Sequence, residues 1–290
     1  MSSWEDIANE VAPADAPVRG LATGARRKLA PSARLTPPTD LHIVRPPDTA
    51  RDTPLEEVLR GNEHVTGDGK FFHVDHPADE YHTMFGDLPG LLNASLPTIT
   101  AKTRIDTTTD DLLFFDIETT GLSSGQPLFL IGALGSPAPS AARLELFLAR
   151  TPQEETAALA AFLERVEDKT LVSFNGVRFD WPYIMQRAHL RGLSVPKPRA
   201  HFDLLPFSRK RWREQVPNCR LQTLEYYVCG RQRVGDAPSA EIPQRYRLFT
   251  QTYANTGEGA HLITPIVYHN IWDVLTMADL LRRSTEEPRA

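Results

Sequence analysis

The stretch Leu112-Leu113-Phe114-Phe115-Asp116-Ile117-Glu118-Thr119-Thr120-Gly121 constrains this chain more than any other. A run of large apolar residues reads as a buried strand, and two carboxylates interrupt it two positions apart. Side chains at i and i+2 leave a strand on the same face, so Asp116 and Glu118 point together at one place. Two carboxylates side by side at the end of a buried strand repel each other and lose hydration. A divalent cation relieves both penalties, and hard oxygen donors suit magnesium or manganese. A bare D-x-E more often marks an exposed strand end. Here the apolar run before it and the Thr-Thr-Gly turn after it favour a metal site.

Other donors have to come from farther along the chain. Leu171-Val172-Ser173-Phe174-Asn175-Gly176 reads as a short strand ending in an Asn-Gly turn, with Phe179-Asp180-Trp181-Pro182 after it. Pro182 suits a first helical turn, so Asp180 falls near that helix's N-terminal end. The second candidate is Tyr268-His269-Asn270-Ile271-Trp272-Asp273, which opens a long apolar-periodic stretch. His269 and Asp273 are four apart, and a helix places them on one face. Singly these are a cap and a surface pair; jointly with Asp116 and Glu118 they form an acidic set.

In this order and spacing the motifs resemble the DEDD exonucleases of the RNase H-like fold, and more narrowly the bacterial YprB-like RNase H-fold exonuclease group. The matching pieces are Phe115-Asp116-Ile117-Glu118-Thr119-Thr120-Gly121-Leu122, Ser173-Phe174-Asn175-Gly176 with Phe179-Asp180-Trp181-Pro182, and His201-Phe202-Asp203-Leu204-Leu205. Cys219-Arg220-Leu221-Gln222-Thr223-Leu224-Glu225, Glu241-Ile242-Pro243 with Tyr246, and His269-Asn270 with Asp273-Val274 complete them. The resemblance implies an α/β fold, a mixed sheet of three antiparallel strands followed by parallel ones, flanked by helices. It implies Asp116, Glu118, Asp180 and Asp273 as ligands of two Mg2+ or Mn2+ ions, and 3′-5′ hydrolysis of nucleic-acid phosphodiester bonds by a two-metal mechanism. Thr119 and Asn175 then lie where a single-stranded 3′ end would pass.

One departure stands out. The DEDD families place a His five positions before the last Asp, or a Tyr four before it, whereas this chain has Tyr268 at five and His269 at four. His269 shares the face of Asp273 and has the near-neutral reference pKa of a general base. Tyr268 projects about 100° away around the helix. The reversed spacing keeps open a protein of the same fold that binds nucleic acid without turnover. A hydrolase of small phosphate esters fits the motif order less well.

A net charge of −5 does not advertise a nucleic-acid binder, but its distribution is uneven. From Arg187 to Arg233 there are eleven Lys/Arg against three Asp/Glu. Within that segment Arg209, Lys210, Arg211 and Arg213 surround Trp212, which pairs phosphate-binding charge with a ring able to stack on a base. Cys219 and Cys229 lack the partners of a zinc site and read as reduced thiols. No stretch approaches a membrane span and the N-terminus lacks a secretory apolar core, so a soluble cytoplasmic protein is expected.

Residues 1–53, proline-rich with little apolar periodicity, read as a mostly disordered tail with a short helix over Trp4–Val11. Residues 54–109 read as an accessory region with a hairpin from Glu63 to Asp75 around Gly67-Asp68-Gly69. Its His64, His73, His76 and His82 are expected as scattered surface side chains. Residues 110–284 form the exonuclease-like domain. Its strands are expected at 112–117, 128–134, 143–150, 170–174 and 200–204. Helices are expected at 152–167, 180–191, 220–229, 241–253 and 262–283. Asp203 reads as a turn or cap residue, with His201 on the same side of its strand.

Overall fold

The computed structural model describes residues 34–81, 85, 112–135 and 142–285. The expected Trp4–Val11 helix, the rest of the tail up to 33, His82 and residues 86–111 lie outside the described residues. All elements below belong to the unit that starts at Leu35.

Seven strands form the main sheet: β2 (Asn62–Thr66), β3 (Gly69–Pro77), β4 (Leu112–Thr119), β5 (Leu128–Gly135), β6 (Arg143–Leu148), β7 (Thr170–Ser173) and β8 (Ala200–Asp203). Their spatial order is β2-β3-β6-β5-β4-β7-β8. Pairing is antiparallel from β2 through β4 and parallel from β4 through β8, the mixed sheet expected from the sequence. Central strands β4 and β5 are apolar without alternation because helices cover both faces of such a sheet. The 62–77 hairpin belongs to this sheet, since β3 pairs with β6 from Phe72↔Leu148 to Pro77↔Arg143. Its outer strand β2 is largely exposed, an edge guarded by charges such as Glu63.

The helices are α1 (Leu55–Leu59), α2 (Glu155–Leu163), α3 (Asp180–Leu190), α4 (Leu204–Trp212), α5 (Leu221–Leu224), α6 (Ile242–Thr256) and α7 (Ala260–Thr285). The helix expected over 152–167 enters through a 3₁₀ turn at Pro152–Glu154. The one expected over 220–229 is a single α turn, α5, that widens into a π turn at Glu225–Cys229 and stops at Gly230, whose φ is 72°. A π turn inserts one extra residue per turn, and such turns often mark functional positions. Here it places Glu225 inside the molecule.

A second, two-stranded parallel sheet joins β1 (His42–Val44) to β9 (Arg231–Arg233). Part of the stretch read as tail is therefore strand. The histidines also depart from expectation. His76 is buried, with its Nδ1 3.0 Å from the Tyr81 hydroxyl, and His73 pairs with Glu145 at 3.2 Å. Three positions apart on β3, His73 and His76 leave the sheet on opposite faces, and His64 on the edge strand is exposed.

Candidate functional site

β4 ends at the centre of the sheet, and α7 crosses beside it. Glu118 is 8% exposed, and Asp116 faces α7, where Asn270 Nδ2 donates to its Oδ2 at 2.8 Å. That approach depends on the strand next door. Gly132 of β5 is the register partner of Asp116, and a Cβ there would run into the Asn270 side chain and into Val274 at 3.2 Å. A bulge between Glu118 and Thr119 ends the regular pairing with β5. The Thr119 hydroxyl then donates to the Gly121 carbonyl at 2.9 Å.

Asp180, 7% exposed, is the first residue of α3. The chain reaches it through Asn175, whose φ of 69° is a left-handed conformation that asparagine tolerates. Asn175 N donates to Asp203 Oδ1 at 2.8 Å, and the same oxygen caps α4 by accepting from Leu205 N at 2.9 Å. Asp203 is thus the cap that its position suggested. Gly176 lacks the side chain that would crowd Ser173 and meet Asp180 Oδ2 at 2.7 Å. His201 Nε2 lies 2.7 Å from Ser173 Oγ, and burial pushes its imidazole down to about 4.

The electrostatics show that the acidic residues share one neighbourhood. Burial pushes the Asp116 carboxyl well above its ordinary range, and the charges of Asp273, Asp180 and Glu118 push it further. Burial likewise raises Glu118 to about 8, with His269 opposing and Asp273 and Asp180 reinforcing. Asp180 rises to about 7 through burial, then Asp203 and Asp273. Burial opposes the charged form of His269, but Asp273, the bond to Asp236 and Glu118 outweigh it and hold the imidazolium up to about 9.

Asp273 has a basic partner that the sequence did not reveal. Arg233 of β9 brings Nη2 to 2.6 Å from Asp273 Oδ1 and Nε to 2.6 Å from Glu225 Oε2. His269 Nε2 lies 3.5 Å from Asp273 Oδ2, and its Nδ1 lies 2.8 Å from Asp236 Oδ1. Asn270 Oδ1 is buried without a hydrogen-bond partner. Among the described residues no three His, Cys, Asp or Glu side chains close around an ion as they stand. The donor chemistry nevertheless fits a hard divalent cation: buried carboxylate oxygens whose charges oppose one another. Nothing in the sequence singles out Asp236, Arg233 reads there only as one of a basic group, and the sole signal for Gly132 is a glycine inside an otherwise apolar strand.

Two expectations need correction. Trp212 is 5% exposed, packed on Phe207 in an apolar cluster with Val216, Leu224 and Leu280, so its ring anchors α4 and is closed to a base. The basic surplus is also smaller at the surface than in the sequence. Arg187 is spent on buried Glu155, and Arg231 and Arg233 on Asp279, Glu225 and Asp273. Arg209, Lys210 and Arg213 remain exposed, whereas Arg211 is half-buried. Tyr268 packs edge-on against Trp272, with ring centroids 5.8 Å apart.

The family model of the RNase_H superfamily matches residues 113–285. The uncharacterized protein YprB of Bacillus subtilis (strain 168) is 33% identical over 175 residues, 59% of this chain and 41% of that protein. The chain therefore spans less than half the length of that relative. Among solved structures, the family B DNA polymerase from the archaeon Pyrobaculum calidifontis superposes with a TM-score of 0.45 at 19% identity, over 59% of this chain and 24% of that one. E. coli exonuclease I in complex with a dA16 oligonucleotide gives 0.33 at 21%, over 49% and 43%. With more than half of its length matched by the family model, this chain belongs to the RNase_H superfamily.

Proposed function

We propose that this protein is a divalent-metal-dependent 3′-5′ exonuclease that hydrolyses phosphodiester bonds of single-stranded nucleic acid. The observation that supports this reading best is the cluster in which burial and the charge of Asp273 raise the proton affinity of Asp116, Glu118 and Asp180. A site that holds carboxylates against their own repulsion is built for a cation, and perturbed groups of this kind concentrate at functional sites. Asp116, Glu118, Asp180 and Asp273 would hold Mg2+ or Mn2+. When bound, two such ions stabilise charge on the scissile phosphate and ease ionisation of a water. Asn270 fixes the Asp116 carboxylate, and His269, whose imidazolium Asp273 and Glu118 favour only while no cation offsets their charge, would take the proton of the attacking water at Nε2. The exposed Arg209, Lys210 and Arg213 bind backbone phosphate. The thiols of Cys219 and Cys229 are free, which suits the cytoplasm as its compartment.

A second reading, nucleic-acid binding without turnover, is favoured by the Arg233–Asp273 ion pair, which occupies one carboxylate with an internal cation. Release of mononucleotides from single-stranded DNA and RNA labelled at either end, with Mn2+ or with chelator, separates the two. Exonuclease action gives metal-dependent mononucleotides from the 3′ end, and His269→Ala slows it by about 10²–10⁴-fold. Tight binding of the same strands without any product supports the second reading.

A further inference from the structure

Resting on the nuclease reading, we infer that Asp236 is a positioning residue for His269. Asp236 follows Gly235, whose φ of 74° turns the chain away from β9 and back towards α7. The Oδ1 atom of Asp236 lies 2.8 Å from His269 Nδ1. The other oxygen is held from two elements: Gln222 Nε2 donates to Oδ2 at 3.1 Å, and Arg233 Nη1 lies 3.5 Å away. The carboxylate is thus clamped at one end and aimed at the imidazole with the other.

Neutralising Arg233 does not explain its presence. Glu225 and Asp273 already bracket that guanidinium, each at 2.6 Å. The shortest contact Asp236 makes is with His269. A carboxylate oxygen at this distance accepts from Nδ1–H, which leaves Nε2 as the nitrogen that faces the site. Nε2 is the nitrogen on the side of Asp273, 3.5 Å from Oδ2. Asp236 therefore fixes the ring plane and presents Nε2 to the site, where a water proton would pass to it.

The test is a double-mutant cycle on 3′ mononucleotide release with Mn2+, using Asp236→Ala and Asp236→Asn with and without His269→Ala. With His269 present, Asp236→Ala lowers kcat on the order of 10²-fold, the scale of a misplaced catalytic group, and leaves KM for the oligonucleotide almost unchanged. Asp236→Asn recovers part of the loss, because its side-chain oxygen still accepts from Nδ1–H. In the His269→Ala background Asp236→Ala costs nothing more. An equal fall in both backgrounds, or a change confined to KM, overturns the positioning role. The metal-free, 15N-histidine-labelled protein gives a reading independent of turnover: a hydrogen-bonded Nδ1–H resonance of His269 that disappears in Asp236→Ala while the remaining spectrum persists. Absence of that resonance from the wild-type chain also overturns the proposal. A wild-type chain without hydrolysis sinks the nuclease reading instead, and the resonance then decides the pairing by itself.

Discussion

Asn270 donates to Asp116 across 2.8 Å, and the residue opposite Asp116 on the next strand, Gly132, leaves the space that this bond needs. Three elements, β4, β5 and α7, thereby fix one carboxylate that also feels the charges of the other three. The bond orients a group that would otherwise be free to turn away from its neighbours.

Gly132→Ala should therefore act on the site and on stability together. The added methyl cannot coexist with the present position of Asn270, and overpacking a closed interior costs about 1–3 kcal/mol. The expected outcome is a lower denaturation midpoint with hydrolysis reduced further than the residual folded fraction explains. Unchanged activity in the folded variant would show that Asn270 has no part in holding Asp116.

The pH dependence of stability without metal has a definite sign. Glu118 is raised from 4.5 to about 8 and Asp180 from 3.8 to about 7, so the folded chain holds protons that the unfolded chain has already released. His269, raised from 6.5 to about 9, stabilises the folded chain most at low pH and stops doing so as pH climbs through its folded value. All three shifts reduce stability as pH rises, Asp180 between 3.8 and about 7, Glu118 between 4.5 and about 8 and His269 between 6.5 and about 9. Thermal melts in chelator should show that decline, Glu118→Gln should make it shallower, and Mn2+ should remove much of it. A flat or rising profile in chelator would contradict the buried cluster.

Arg209, Lys210 and Arg213 are exposed on or beside α4 and should govern affinity more than chemistry. Each phosphate contact on a single strand adds about 0.7 to the slope of log affinity against log salt. Replacing all three with alanine should flatten that slope by about 2 across unrelated sequences, with kcat nearly kept. An unaltered slope would make them a solvated helix face.

Much of this arrangement is legible in the sequence because it follows short periods. Asp116 and Glu118 share a face through the two-residue period of a strand, and His269 and Asp273 through the turn of a helix. Short connections between the strands at 112–117, 128–134 and 143–150 imply antiparallel neighbours, and the helix before 170–174 implies a parallel one. What escaped depends on contacts between distant segments. Asp236 reaches His269 over 33 residues from a turn with no period. Arg233 counts as one more surface cation in the sequence, yet it sits inside among Glu225, Asp273 and Trp272. Trp212 misled for the complementary reason: its basic neighbours suggested a surface ring, whereas the helix turns it onto Phe207. Local composition carries no information about which way a helix rolls on its neighbours.

The central claim, that Asp116, Glu118, Asp180 and Asp273 form a divalent-cation site, is tested most directly by calorimetric titration of the metal-free chain with Mn2+ in two buffers of different ionisation enthalpy. Carboxyls that hold protons near neutral pH must give them up to a cation, so binding at pH 7 should release protons. Asp116→Asn and Asp273→Asn should each weaken binding severely while the chain stays folded. Binding that is undiminished in both variants, or no binding by the wild-type chain, would contradict the account.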